Sequence, residues 1–370
     1  MAPVSLSLAG GNSYLAVHNQ GNYGGRQMKL DVGLDCTEQC FDLPEWRALL
    51  DRDPDRQIFA TPEWNRLWWE EFKGTKDLFF LTMKRGGEVV AIVPLYRKDE
   101  DEQKVLRFVG GIDLADYLGP ICSLDDREDV ADTLSAWLVE TDVEWDVFDA
   151  HNMPVPFGFA DLLVDRADRL GLDFTLEQEE TAALLPLPES WDEYLAGLDS
   201  KQRHELKRKR KRLAADFPDA RVRTATEESL DRDLKDFVEM HRGTEGLKGH
   251  FMRPEIATFF ERIAQAFMPL GWLRLDLFEI GERTLASTFS FSYNNNLYLY
   301  NSAYEPEMSR LSPGFVHVSE LVRMSIDEGL NIFDFMRGPE RYKYQLGAQA
   351  VPLNNVRLSR QVSKRDATIR

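Results

Sequence analysis

The chain has 370 residues, 43% of them hydrophobic and including eight Trp and 22 Phe, a composition that buries a large core and excludes a disordered polymer. Its 63 acidic and 45 basic residues give a formal charge of -18, which disfavours non-specific binding to nucleic acid. Three cysteines, Cys36, Cys40 and Cys122, are too few for a disulfide framework, and Cys36 and Cys40 lack the second ligand pair of a zinc site, so no metal is expected. The N-terminus has no basic region before an apolar core, and no apolar run approaches the roughly 20 residues that span a bilayer. The expectation is a cytoplasmic protein, and the length suggests two domains.

Residues 1–40, rich in Gly, Asn and Ser without periodicity, read as a flexible leader. Helical spacing begins at Pro44 with Trp46, Leu49 and Leu50, and Thr61-Pro62-Glu63 starts a second helix through Trp64, Leu67, Trp68 and Phe72. Leu78 to Met83 and Val89 to Tyr96 form a hairpin about Gly86-Gly87. Val105 to Val109 and Tyr117 to Ile121 read as strands, Asp126 to Glu140 as a helix, and Trp145 to Asp149 as a strand running into His151.

A turn at Pro186 to Trp191 leads into a helix through Tyr194 and Leu198, and Ser200 is placed to cap a further helix, Lys201 to Ala215. That helix carries eight Lys or Arg between Lys201 and Arg212, so it is either a contact for an anionic ligand (a phosphate, an acidic glycan, a tRNA backbone) or a solvated face paired with carboxylates. Glu227 to Arg242 is an amphipathic helix with His241 at its apolar edge. His241 is either a hydrogen-bonded core histidine or a proton-transfer group lining an acceptor cleft. The segment Gly243 to Phe251 reads as a flap, and Pro254 begins a helix through Phe267.

From Gly271 the pattern becomes strand-like: Trp272 to Phe278, Leu285 to Tyr293 and Leu297 to Tyr300, three antiparallel strands, with Phe289, Phe291 and Tyr293 on one face and serines between them. A Ser312-Pro313-Gly314 loop opens a helix from Phe315 to Glu328, and a strand, Asn331 to Met336, leads into a basic-aromatic tail ending at Gly347. This order suits an anion lying against a helix N-terminus beside a sheet. It also repeats an earlier one: the Gly86-Gly87 hairpin matches that at Gly281-Glu282, and Phe148-Asp149 matches Phe333-Asp334. The expected fold is therefore α/β (α+β), two tandem units each with a mixed, mainly antiparallel sheet flanked by helices, at 41–185 and 186–352, followed by a tail at 353–370.

Four words carry a resemblance: YNSAY (Tyr300 to Tyr304), LSPG (Leu311 to Gly314), FDFMRG (Phe333 to Gly338) and YKYQLG (Tyr342 to Gly347). Their order resembles the acyl-CoA-binding half of the GNAT acyltransferases, in the CelD-type branch of cellulose-biosynthesis proteins, similar in turn to the Fem-type aminoacyltransferases with their paired GNAT-like units. The resemblance implies an acyltransferase using acetyl-CoA or another acyl-CoA, with an amine acceptor on a sugar or cell-envelope precursor. Two alternatives stand beside it: a Fem-like enzyme using charged tRNA, held by Lys201 to Arg212, and a non-catalytic accessory of exopolysaccharide synthesis.

By the same resemblance the strand carrying Asn301 and Ser302 pairs with the pantetheine arm and splays from the strand Ile332 to Met336. The loop Arg310, Leu311, Ser312, Gly314 holds the pyrophosphate, and Tyr304 protonates the departing thiolate. The loop departs from the common GNAT pattern, because its glycine stands one residue further on and Pro313 removes an N–H donor. That keeps an aminoacyl-tRNA or acyl-carrier donor open. From the residues themselves, Asp334 is placed at a strand end as a general base or acceptor anchor, or else as a partner of Arg337 or a turn cap. Arg337, Arg341 and Lys343, with Tyr344 beside them, form a cationic group suited to a phosphate or carboxylate.

Overall fold

The computed structural model describes residues 30–243 and 251–360, together with a short pairing of 22–23 with 26–27. The expected flap therefore lies almost wholly outside the described residues, as do most of the leader and residues 361–370.

The first half runs β1 (Asp31–Asp35), α1 (Pro44–Arg52), α2 (Pro62–Phe72), β2 (Asp77–Arg85), β3 (Glu88–Glu100), β4 (Gln103–Phe108), α3 (Arg127–Glu140), β6 after a two-residue strand β5 (Ile121–Cys122), with β6 at Val147–Pro154, α4 (Phe159–Leu170) and β7 (Leu172–Pro186). After α5 (Trp191–Gly197) and α6 (Ser200–Asp216) the second half follows the same order: β8 (Arg221–Thr224), α7 (Leu230–Arg242), α8 (Pro254–Phe267), β9 (Leu273–Ile280), β10 (Arg283–Tyr293), β11 (Asn296–Tyr304), α9 (Pro313–Asp327), β12 (Ile332–Arg337), α10 (Arg341–Gln345) and β13 (Gln349–Arg360).

Local chemistry explains several boundaries. Thr61 caps α2 by accepting from the Trp64 N–H, with Pro62 at the first helical position, where its missing donor costs nothing. At α6 the cap is Asp199, not Ser200: Asp199 and Gln202 make a reciprocal capping box, and Ser200 is the first helical residue. Gly86 and Gly87 take left-handed conformations (φ 58° and 90°), which let a two-residue turn close β2 onto β3.

The strands form one continuous sheet in the order β8-β9-β10-β11-β12-β7-β13-β6-β4-β3-β2-β1, with β5 on β3 to the side. In each half the third and fourth long strands pair in parallel, β4 with β6 and β11 with β12; the other pairings are antiparallel. The closing strands are exchanged. β7 of the first half pairs with β12, β13 of the second half pairs with β6, and the two pair with each other along their lengths at the centre. One core also crosses between halves: Trp64 of α2 lies 5.4 Å from Phe259, 5.9 Å from Phe291 and 5.6 Å from Tyr300, ring centre to ring centre.

Several expectations change. Asp31–Asp35 belongs to the sheet rather than to a leader, and β13 runs to Arg360, beyond the expected end of the second unit. Tyr117 to Ile121 is mostly non-strand, with only Ile121–Cys122 pairing. The strand β10 is buried on both faces rather than one, because α9 packs on the side of Thr288, away from Phe289 and Phe291.

Candidate active site

The three antiparallel strands β9, β10 and β11 form as their period predicts. Between β10 and β11 the register shifts, so Leu299 and Tyr300 together face Ser290, a β-bulge that turns the outer edge of β11. On that edge β12 pairs only with Asn296, Leu297 and Tyr298. Beyond Tyr298 the two parallel strands part, with positive φ at Met336 (63°) near the end of β12 and at Gly338 (114°) just after it.

Cavities lie on either side of the parting. One, of about 250 Å³, is floored by the start of α9 and lined by Thr288, Ser302, Tyr304, Ser312, Gly314 and His317, with Lys209 of α6 reaching in. Ser312 sits at φ 56° before Pro313, and the first turn of α9 presents N–H groups that no earlier residue of the helix accepts. Lys209 Nζ stands 3.8 Å from the centre of the Phe315 ring, and burial holds its pKa below the ordinary lysine value. This chamber can receive a phosphate-bearing chain. His317, fully buried beside Thr288 (3.2 Å) and stacked on Phe278, is pushed by burial down to about 3 and stays neutral.

The second cavity, of about 490 Å³, is lined by Asp116, Glu180, His241, Asn301, Arg337 and Lys343 among others. Asp113, Asp116 and Glu180 come from the first half, and His241, Asn301, Arg337, Glu340 and Lys343 from the second. Ser302 and Tyr342 line both cavities, so the two chambers meet at these side chains. Tyr342 is held well above the usual phenol range by burial, and so keeps its proton at neutral pH.

The sequence-predicted residues distribute unevenly over this geometry. Ser302, Tyr304, Ser312 and Gly314 line the first chamber; His241, Asn301, Arg337 and Lys343 line the second, where His241 Nε2 meets Asn301 Oδ1 at 2.9 Å. Arg310 and Leu311 line neither chamber: the Arg310 side chain is 83% exposed and reaches Asp216 at 3.8 Å, while Leu311 is buried. Arg341 is exposed and Tyr344 packs against the apolar cluster that includes Leu198, Leu206 and Leu346, neither lining one of these two chambers.

Two members of the cationic group also make bonds within the fold. Arg337 donates through Nε and its backbone N–H to the two oxygens of Asp116 (2.8 and 2.9 Å) and through Nη1 to Asn152, so it clasps the halves together. Lys343 is buried and donates to the carbonyls of Met336, Arg337 and Gly338 at 3.2, 2.5 and 3.3 Å, fixing the turned end of β12. Its charge is committed to those carbonyls and to the Glu340 carboxylate, 2.8 Å away.

Asp334 does not enter the second chamber. It turns to the opposite side of the sheet, where it accepts from Tyr117 Oη (2.8 Å) and from the Met336 N–H (2.8 Å), the turn-cap alternative. Burial pushes its carboxyl up to about 7, against the lowering effect of both hydrogen bonds. Sequence reasoning missed Asp116, Glu180 and the junction role of Tyr342. The first two reach the site only because β7 and the loop after β4 cross the boundary between halves. Tyr342 lay in plain view within a recognised word.

Residues 200–344, which supply most of the lining of the two chambers, match the family model of the Acetyltransferase (GNAT) domain. Among solved structures, FemX superposes with a TM-score of 0.60 at 14% identity, covering 87% of this chain and 96% of its own. A conserved protein of unknown function from Bacteroides thetaiotaomicron gives 0.52 at 13% identity, covering 88% and 98%. The C-terminal DUF2156 domain of a putative lysylphosphatidylglycerol synthetase from Agrobacterium fabrum gives 0.53 at 12%, covering 86% and 92%. At these identities the likeness is one of fold. No curated protein matches the sequence. Among the described residues no helix is long and apolar enough to cross a membrane, and no group of His, Cys, Asp and Glu is arranged to hold a metal.

Proposed function

We propose that this protein is an N-acyltransferase that moves an acyl group from acetyl-CoA or another acyl-CoA to an amine, on a sugar or cell-envelope precursor of the kind the CelD-type resemblance implies. One observation carries the reading: the parting of β11 from β12 opens a chamber at the start of α9 and a second chamber across from it, meeting at Ser302 and Tyr342. The donor's phosphates rest on the α9 amides and Lys209, and its thioester carbonyl lies along the bulged edge of β11, where a backbone N–H stabilises the oxyanion.

The acceptor amine enters the second chamber and attacks the carbonyl carbon. As the C–S bond breaks, the sulfur takes a proton from Tyr342 rather than from Tyr304, which packs against Gly314 at the donor end and does not line the acceptor chamber. The amine's proton passes to a basic group of the acceptor chamber, with His241 and Glu180 in place to receive it. Positioning of two reactants on either side of one opening supplies most of the rate.

The test is release of CoA thiol from acetyl-CoA and longer acyl-CoAs in the presence of amino sugars. Release that requires the amine and falls at least a hundredfold in Tyr342→Phe supports the reading, and no release from any acyl-CoA contradicts it. A Fem-like reading with charged tRNA as donor is favoured by one feature, the exposed row Lys201, Lys207, Arg208 and Lys211 on α6, next to the turn that sends Lys209 into the donor chamber. Reversal of those exposed charges abolishes transfer under that reading and leaves acyl-CoA turnover intact under the first.

A further inference from the structure

The first half has its own parting of parallel strands: β4 pairs with β6 only at Val105 and Leu106, and the strands then separate. A cavity of about 310 Å³ lies beyond them, reaching Val109 after β4 and Pro154 at the end of β6 and sharing no lining residue with the acceptor chamber. Its chemistry differs. The walls are apolar, with Phe59, Val109, Leu118 and Leu184 among them, and none of the described residues lining it is Lys, Arg or His. Its polar lining is rich in acceptors. Asp53 and Asp55 stand on one side, and Asn296 Oδ1 is buried without a hydrogen-bond partner. Asp334 faces the same space.

A buried acceptor left unpaired is destabilising, and carboxylates with no cation among the lining residues repel an anionic guest. Acyl-CoA is therefore the wrong ligand here. We infer that this cavity is a second ligand site, which takes a primary amine carried on a short apolar body, the ammonium donating to Asn296 and Asp53 and the body lying against Leu118 and Leu184. The site shares no lining residue with the donor chamber, so it is independent of how the acyl-donor reading fares.

Calorimetric titration of the full chain with n-hexylamine, sodium hexanoate and 1-hexanol tests this. Hexylamine is expected to bind one to one, at least tenfold more tightly than hexanol, with no binding of hexanoate. Asp53→Asn is expected to weaken hexylamine about tenfold, Leu184→Trp to abolish its binding by filling the cavity, and Gly314→Leu, which fills the donor chamber, to leave it unchanged. Melting curves establish that each variant is folded; if Leu184→Trp does not fold, the Asp53→Asn and hexanoate results decide. Hexanoate binding as well as hexylamine, absence of hexylamine binding, or its loss in Gly314→Leu would each overturn the inference.

Discussion

Asp334 offers a direct test of how burial, rather than catalytic contact, governs a carboxylate in this fold. Its folded pKa of about 7 lies above the ordinary 3.8, so the protonated form favours the folded chain. The sign follows: between pH 3.8 and 7 the folded state holds a proton that the unfolded state has released, and stability falls as pH rises through that window. From those two values the penalty grows by about 3 kcal/mol between pH 5 and pH 8. Asp334→Asn keeps the shape, lets the amide bond to Tyr117 and Met336, and removes the titration. Urea unfolding of both proteins at pH 5 and pH 8 should show the variant gaining about 3 kcal/mol on the wild type across that interval. Parallel pH dependences would refute the assignment, and a large loss of activity at pH 6 with unchanged stability would return Asp334 to the chemistry.

His151 has the complementary behaviour. Held up to about 9 by hydrogen bonds to Asp149 and Glu179 that outweigh its burial, it contributes stability fully present below pH 6.5 and lost as pH rises through 9; His151→Gln should remove about 3 kcal/mol at pH 6 and far less at pH 10, read by denaturant unfolding. Lys343→Met leaves three strand-end carbonyls without their donor, and should lower the melting temperature and kcat while the acyl-CoA affinity stays unchanged; a selective loss of that affinity would mean a direct phosphate contact. Trp64→Ala empties the aromatic centre shared by both halves and should cost about 3–5 kcal/mol in a single unfolding transition, whereas two separated transitions would show the halves to be independent.

Much of this architecture was legible because local pattern and global packing agree. The period-two runs around Phe289 and Phe291, the glycine turns and the Thr61-Pro62 start each encode their own element, and the repeated order of elements shows in the matching Phe-Asp pairs. Exchange of β7 and β13 was not legible, since strand pairing at that distance leaves no local mark. Its consequences reach the site: Glu180 rides on β7, and Asp116 is drawn in by Arg337 from more than 200 residues away in sequence. Charged residues carry contacts that the sequence does not show. Lys343 and Arg337 look like ligand contacts in the sequence, yet one closes a strand end and the other binds the two halves. Asp334 alternates to the far face of its strand, a direction that the kink at Met336 conceals from simple alternation.

Calorimetric titration of acetyl-CoA into the wild-type chain and Gly314→Leu tests the central claim most directly. A Cβ at Gly314 meets only the Tyr304 ring at 3.5 Å, so the fold tolerates a side chain there while the chamber at the start of α9 does not stay open. One-to-one binding by the wild type and none by a cooperatively melting Gly314→Leu is the predicted result. Equal binding by both would place the donor elsewhere and contradict the account.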